Sequence, residues 1–193
     1  MRRDGLLVMV AVALAASGCS RPDAASTPAA DDGVVVLAKA AGWRDGLQEA
    51  AAHPYILMEV ATSADSAEQA WADNVPTTLT EADGDPADPG VYETLEAVDL
   101  DRQAVVVFSS GESGTCPAWV RSLSTTGGRV EVVLASTAGE GQACTDDFRP
   151  YRLVLAVDLD RLPSPDELPV DAIDVPSENL AGVDGRVATY PAG

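Results

Sequence analysis

Ala104-Val-Val-Val-Phe108, Trp119-Val-Arg-Ser-Leu-Ser-Thr125, Val130-Glu-Val-Val-Leu134 and Tyr151-Arg-Leu-Val-Leu-Ala-Val157 lie in one stretch, Asp101 to Asp158, together with Cys116 and Cys144. The fold is decided there. The first run is bounded by Asp99-Leu-Asp-Arg102 before it and Gly111-Glu-Ser-Gly114 after it. The second and third flank Gly127-Gly128, a pair suited to a two-residue hairpin turn. In the fourth, side chains alternate across a strand, so Tyr151, Leu153, Leu155 and Val157 share one face. The stretch reads as an antiparallel sheet pinned by one disulfide, Cys116 to Cys144. No Cys-x-x-Cys spacing places a thiol for exchange, so the bond is structural.

Outward from that stretch the signals are shorter. Gly33 to Leu37 is a strand candidate. Trp43, Leu47 and Ala50-Ala51 follow helical spacing until Pro54 stops it. Tyr55 to Ala61 is a strand, and a helix begins at Ser63 with Ala67, Ala70 and Trp71 on one side, ending before Pro76. Pro76 to Gly90 is a long loop, Leu162 to Pro169 a proline-rich surface connection, and Val170–Val175 and Val187–Tyr190 are short edge strands. The expected class is α+β, mainly antiparallel β-sheet with one or two helices packed on it and one disulfide.

The N-terminus carries a different kind of information. Met1-Arg-Arg3 is basic, and Gly5 to Ala16 is an apolar, small-residue run. A membrane-spanning helix needs about 20 apolar residues, so this length suits a secretory signal. The run ends in Ala15-Ala-Ser-Gly-Cys19, which resembles the lipobox of bacterial lipoproteins, with Ala16 standing where Leu, Val or Ile is favoured. The resemblance implies cleavage before Cys19 and a diacylglycerol on its thiol. The expected organisation is a signal peptide over 1–18, a lipidated cysteine and flexible tether over 19–32, and a single globular domain over 33–193. The chain has three cysteines. A lipid on Cys19 leaves an even pair, and an exported location lets their disulfide persist. Closing that loop stabilises the fold by roughly 3–4 kcal/mol in the chain-entropy model.

With 12 basic and 31 acidic residues the chain is strongly acidic. Loss of Arg2, Arg3 and Asp4 with residues 1–18 leaves 10 against 30. That field repels phosphate backbones, so no nucleic-acid partner is expected, and it disfavours anionic lipid, so membrane attachment falls to Cys19. Lys39 is the only lysine. The Ala, Val, Asp and Gly abundance resembles that of high-GC actinobacteria.

Gly111-Glu-Ser-Gly114 resembles the Gly-Asp-Ser-Gly box of chymotrypsin-like serine proteases, and Ala51-Ala-His53 their histidine motif, with Asp83 or Asp99 available as the third group. Thr115, Glu112 and Pro54 depart from the family pattern, and 60 residues between His53 and Ser113 are too few for most of a double barrel. A Gly-x-Ser-x-Gly elbow also fails at Thr115. The expectation is a turn leading to Cys116, with no catalytic residue. Asp83-Gly-Asp-Pro-Ala-Asp88 has calcium-like charge without EF-hand spacing, and reads as a solvated turn. Two cysteines and His53 fall short of a zinc set, so no metal and no cofactor is expected. Cys144 to Tyr151 reads as a loop fixed by Asp–Arg pairing, and Trp43, Trp71 and Trp119 as core.

From Glu96 to about Pro163 the chain also resembles small secreted domains named for a protease-complex subunit, through Val98-Asp-Leu-Asp101, Val105-Val-Val107 and the Gly127-Gly128 hairpin. That resemblance implies an accessory or binding role. The sequence therefore reads as a lipid-anchored, non-enzymatic binding or accessory protein on the extracytoplasmic face of the cell membrane, acting on an envelope protein or ligand. The alternatives are an envelope hydrolase and a calcium- or small-ligand-binding lipoprotein.

Overall fold

The structure is a computed structural model that describes residues 33–44, 56–139, 141–171, 173–175 and 185–191. Cys19, His53 and the helical spacing beyond Arg44 lie outside them.

Two ten-residue strands form the centre, β4 (Gln103–Glu112) and β7 (Arg149–Asp158), paired antiparallel over their whole length. β7 carries β1 (Val34–Ala41) on its other side, and β4 carries β2 (Ile56–Ala61). The short strands β3 (Gly90–Val91) and β9 (Gly185–Thr189) complete a six-stranded sheet in the order β3-β1-β7-β4-β2-β9. The valine run does not alternate with polar residues because its strand is buried on both faces. Ala104, Val106 and Phe108 enter one core, Val105 and Val107 the other.

The first core is closed by a second sheet of β5 (Ala118–Thr126), β6 (Arg129–Ser136) and β8 (Ile173–Asp174). The expected single sheet is corrected here: its four runs divide between two. Both long edges of the β4–β7 pair are already taken by β2 and β1, so the β5–β6 hairpin folds over the sheet's face. Its turn has the expected form, with Gly127 at φ +59° and Gly128 at φ +76°, the left-handed pair that a two-residue turn requires. The edge strands β9 and β8 fall where expected and pair parallel to β2 and β6.

The second core is closed by α1 (Ala64–Asn74), the one α-helix among the described residues. Ser63 caps it, accepting from the Ser66 N–H at 3.2 Å. Ala67 and Ala70 face the sheet, small enough for close approach, and Trp71 is half-buried at the margin. Leu162 to Pro169 departs from the expected surface connection: Leu162 is buried in the first core, and short 3-10 turns at Leu159–Arg161 and Pro165–Glu167 carry the chain around it. The class is α+β, mostly antiparallel sheet, with one disulfide.

Candidate functional site

The polar chemistry collects at one end of the large sheet, where β1 and β4 end and β2, β7 and β9 begin. It divides into two compartments, one on each face.

On the face toward the small sheet, Lys39 is 1% exposed. Its Nζ donates to Glu112 Oε2 at 2.7 Å, Ala87 O at 2.8 Å and Ala118 O at 3.0 Å, and lies 4.9 Å from the centre of the Tyr151 ring. An ammonium has three N–H donors, and all are used. Glu112 Oε2 also accepts the Ala118 N–H at 2.7 Å. The ion pair thus holds both backbone groups of the first residue of β5, as a neighbouring strand would. Burial lowers the lysine's pKa, against the opposing pull of Glu112 and Asp88. The Tyr151 and Ser110 hydroxyls are buried here without a hydrogen-bond partner, and burial, with Glu112 nearby, pushes the phenol up.

On the face toward α1, Arg44 leaves the end of β1 and reaches Glu59 on β2, at 2.7 Å from Nη2 to Oε1. It thereby crosses β7 and β4, a span of about 14 Å. The guanidinium lies 4.9 Å from the Tyr190 ring centre and also bonds its hydroxyl. Tyr190 donates to Asp73 Oδ2 at 2.8 Å and accepts from Asn74 Nδ2 at 3.1 Å. Arg152 donates to the backbone oxygens of Asn74, Ala41 and Gly42 at 2.9–3.0 Å. Burial pushes the Glu59 carboxyl up despite Arg44. Burial and donation to Asp73 push Tyr190 up to about 12.

The disulfide lies at the same end of the fold, with S–S 2.00 Å and Cα–Cα 5.6 Å. Cys116 lies just before β5 and Cys144 a few residues before β7, and hydrogen bonds run parallel to the covalent link. Ser113 Oγ bonds Thr145 Oγ1 at 2.9 Å, Thr115 Oγ1 accepts the Thr145 N–H at 2.9 Å, and Asp147 accepts the Gly114 N–H at 3.0 Å and pairs with Arg149 at 2.8 Å. The Thr145 hydroxyl, the Gly114 amide and Arg149 draw Asp147 down to about 2.

The protease-like constellation does not assemble with Asp99. Asp99 precedes β4 and Ser113 follows it, so a ten-residue strand puts them about 30 Å apart. The Ser113 hydroxyl is engaged by threonines. The expected turn leading to Cys116 is present, with Gly114 inside it and the Cys116 N–H donating to Ser113 O at 3.2 Å, whereas Gly111 is still in β4. A Cβ on Gly111 would meet the Phe148 ring at 1.8 Å, and one on Gly114 the Arg149 guanidinium at 2.3 Å. Asp83, Asp85 and Asp88 are exposed, and among the described residues no three His, Cys, Asp or Glu side chains are grouped to hold a metal ion. Trp43 and Trp119 are half-buried, at the margin rather than in the core, with Trp43 6.4 Å from Phe148, itself 44% exposed. No helix among the described residues is long and apolar enough to cross a membrane.

Lys39, Glu59 and Arg152 were not singled out from the sequence as site residues. Each is a charge inside an apolar strand, VVVLAKAA, ILMEVA and YRLVLAV, and that interruption is the signal that marks them. No protein-family model, no curated protein and no solved structure matches this chain.

Proposed function

We propose that this chain is a lipid-anchored binding or accessory protein of the cell envelope, held through Cys19 on the extracytoplasmic face, that engages its partner through the polar end of the large sheet. The observation that carries the reading is the opposition between attachment and site. Gly33, where the tether joins the fold, stands at the start of β1, and the polar end lies beyond its last residue. Eight residues of strand separate the two by about 26 Å. A tether that ends at Gly33 joins the domain at the end of β1 opposite the Lys39 and Arg44 compartments, Phe148 and the disulfide, and so leaves them free to meet the rest of the envelope.

The disulfide suits an oxidising compartment. The buried ions at the polar end are held in pairs, Lys39 with Glu112 and Arg44 with Glu59, a pattern suited to recognition more than to activating a nucleophile. The experiment is mass analysis of protein recovered from the membrane fraction of an expressing bacterium. A diacylglyceryl mass on Cys19, lost together with membrane retention in Cys19→Ser, supports the anchor. Wild-type protein released to the medium with an unmodified Cys19 overturns it.

A further inference from the structure

Both compartments hold buried hydroxyls without a partner, Ser110 and Tyr151 on the small-sheet face and Ser109 on the helix face, and they differ in what else is left unmet. On the small-sheet face a carboxylate oxygen and two carbonyl oxygens surround an ammonium beside a tyrosine ring, and Lys39 supplies all three N–H groups. On the helix face the matching oxygens are present without donors. Glu59 Oε2, Asn74 Oδ1 and Ser109 Oγ are buried and have no hydrogen-bond partner. Their residues are 5%, 1% and 0% exposed. Unsatisfied polar groups at such depth each cost about 1–3 kcal/mol, so three on one face point to a group that the described residues do not provide.

Their placement is set by the sheet. Ser109 is paired with Leu57 on β2 and with Arg152 on β7, and Glu59 is paired with Val107, so Glu59, Ser109 and Arg152 lie on the same face of three adjacent strands. Asn74, at the last turn of α1, sits over them, with its backbone oxygen on Arg152 and its amide nitrogen on Ala70 O and the Tyr190 hydroxyl. That bonding fixes which way the amide points and leaves Oδ1 as the free acceptor. Glu59 spends Oε1 on Arg44 and keeps Oε2. Burial, with Asp73 nearby, still disfavours its charge with the Arg44 guanidinium in place, so a cationic donor at Oε2 is favoured by Glu59, against the repulsion of Arg152 on the same face.

We propose that the helix-face compartment beneath Arg44 binds the ammonium group of a small primary amine, with Glu59 Oε2, Asn74 Oδ1 and Ser109 Oγ as its three acceptors. The ligand's ammonium does there what Lys39 does on the opposite face. Three acceptors match the three N–H donors of a primary ammonium, and a quaternary ammonium has none to offer. The acidic surface attracts the cation in the first instance. The inference does not depend on the anchor.

The test is a titration of the purified full chain by thermal denaturation and calorimetry with ammonium and methylammonium chloride, against sodium and tetramethylammonium chloride at equal ionic strength. The expected result is a saturable rise in Tm with the two N–H donors alone. Glu59→Gln removes one charge-assisted contact and should weaken methylammonium by roughly tenfold or more. If Glu59→Gln fails to fold, Ser109→Ala gives the second readout. It deletes a buried hydroxyl that has no partner without ligand, so the free protein should keep or raise its Tm while methylammonium affinity falls. No saturable shift in the wild type, an equal shift with tetramethylammonium, or undiminished affinity in Ser109→Ala with Glu59→Gln overturns the proposal and leaves these oxygens to water.

Discussion

Lys39 and Arg44 stand five residues apart on opposite faces of the same sheet end, and their surroundings teach different things. The lysine is closed: three donors meet three acceptors, and the pair it forms with Glu112 secures the start of β5. The arginine is half of an open arrangement, with Glu59, Asn74 and Ser109 each keeping an oxygen that none of the described residues satisfies. Closed polar clusters rigidify a core, whereas open ones cost stability and mark where something else is held. The Lys39 pair is therefore a clamp, and the helix face, which leaves a carboxylate and an amide oxygen unmet where the small-sheet face leaves only the Ser110 and Tyr151 hydroxyls, is the binding candidate.

The clamp can be broken hardest. Lys39→Met should cost about 3–5 kcal/mol in urea denaturation, because it strands a largely shielded carboxylate and two carbonyls. Adding Glu112→Gln should recover part of that loss. A clamp that acts as a pair predicts such recovery, and additive losses contradict it. Next in size, Cys116→Ala/Cys144→Ala should cost about 2–4 kcal/mol, at the lower end because the Ser113–Thr145, Thr115–Thr145 and Gly114–Asp147 hydrogen bonds still tie the same segments. A large loss with melting of the β5–β6 hairpin, read by hydrogen exchange, would show that the covalent bond alone holds them.

Much of this architecture was legible in the chain and some was not, for reasons of geometry. Gly127-Gly128, the Ser63 cap and the alternation from Tyr151 to Val157 are local signals, and the structure follows them. The division into two sheets is not local. It depends on β1 and β2 occupying the edges of β7 and β4, and no spacing within Asp101–Asp158 records that. Disulfide pairing followed from counting cysteines. The buried Lys39 and Glu59 left a trace, a charge in an apolar strand, but their partners Glu112 and Arg44 lie 73 and 15 residues away. The turn leading to Cys116 is legible in Gly114, whereas Gly111 stays in β4 and serves the approach of Phe148, a contact that no local spacing records.

Smaller changes sharpen the contrast on the open face. Tyr190→Phe removes the hydroxyl shared by Arg44, Asn74 and Asp73 and should cost about 1–2 kcal/mol. Glu59 also gives this face a pH signature. Its folded pKa lies above its unfolded value, so the native state holds the proton more tightly. Its contribution is most favourable below the unfolded glutamate pKa of about 4.5 and declines as pH rises through the raised folded value. Glu59→Gln should flatten that part of the wild-type stability profile, and an unchanged slope would contradict the assignment. Asp147 has the opposite sign. Its folded pKa of about 2 lies below 3.8, so its contribution is present above 3.8 and lost as pH falls through about 2. The Gly114 amide resonance should move with that midpoint.

The contrast between the faces is tested most directly by nuclear Overhauser contacts from isotope-labelled methylammonium to the purified protein. The account predicts contacts from its methyl group to Ser109 and the Tyr190 ring, with the Tyr151 ring beside Lys39 silent. Contacts to Tyr151, or none on the helix face at saturating methylammonium, would contradict it.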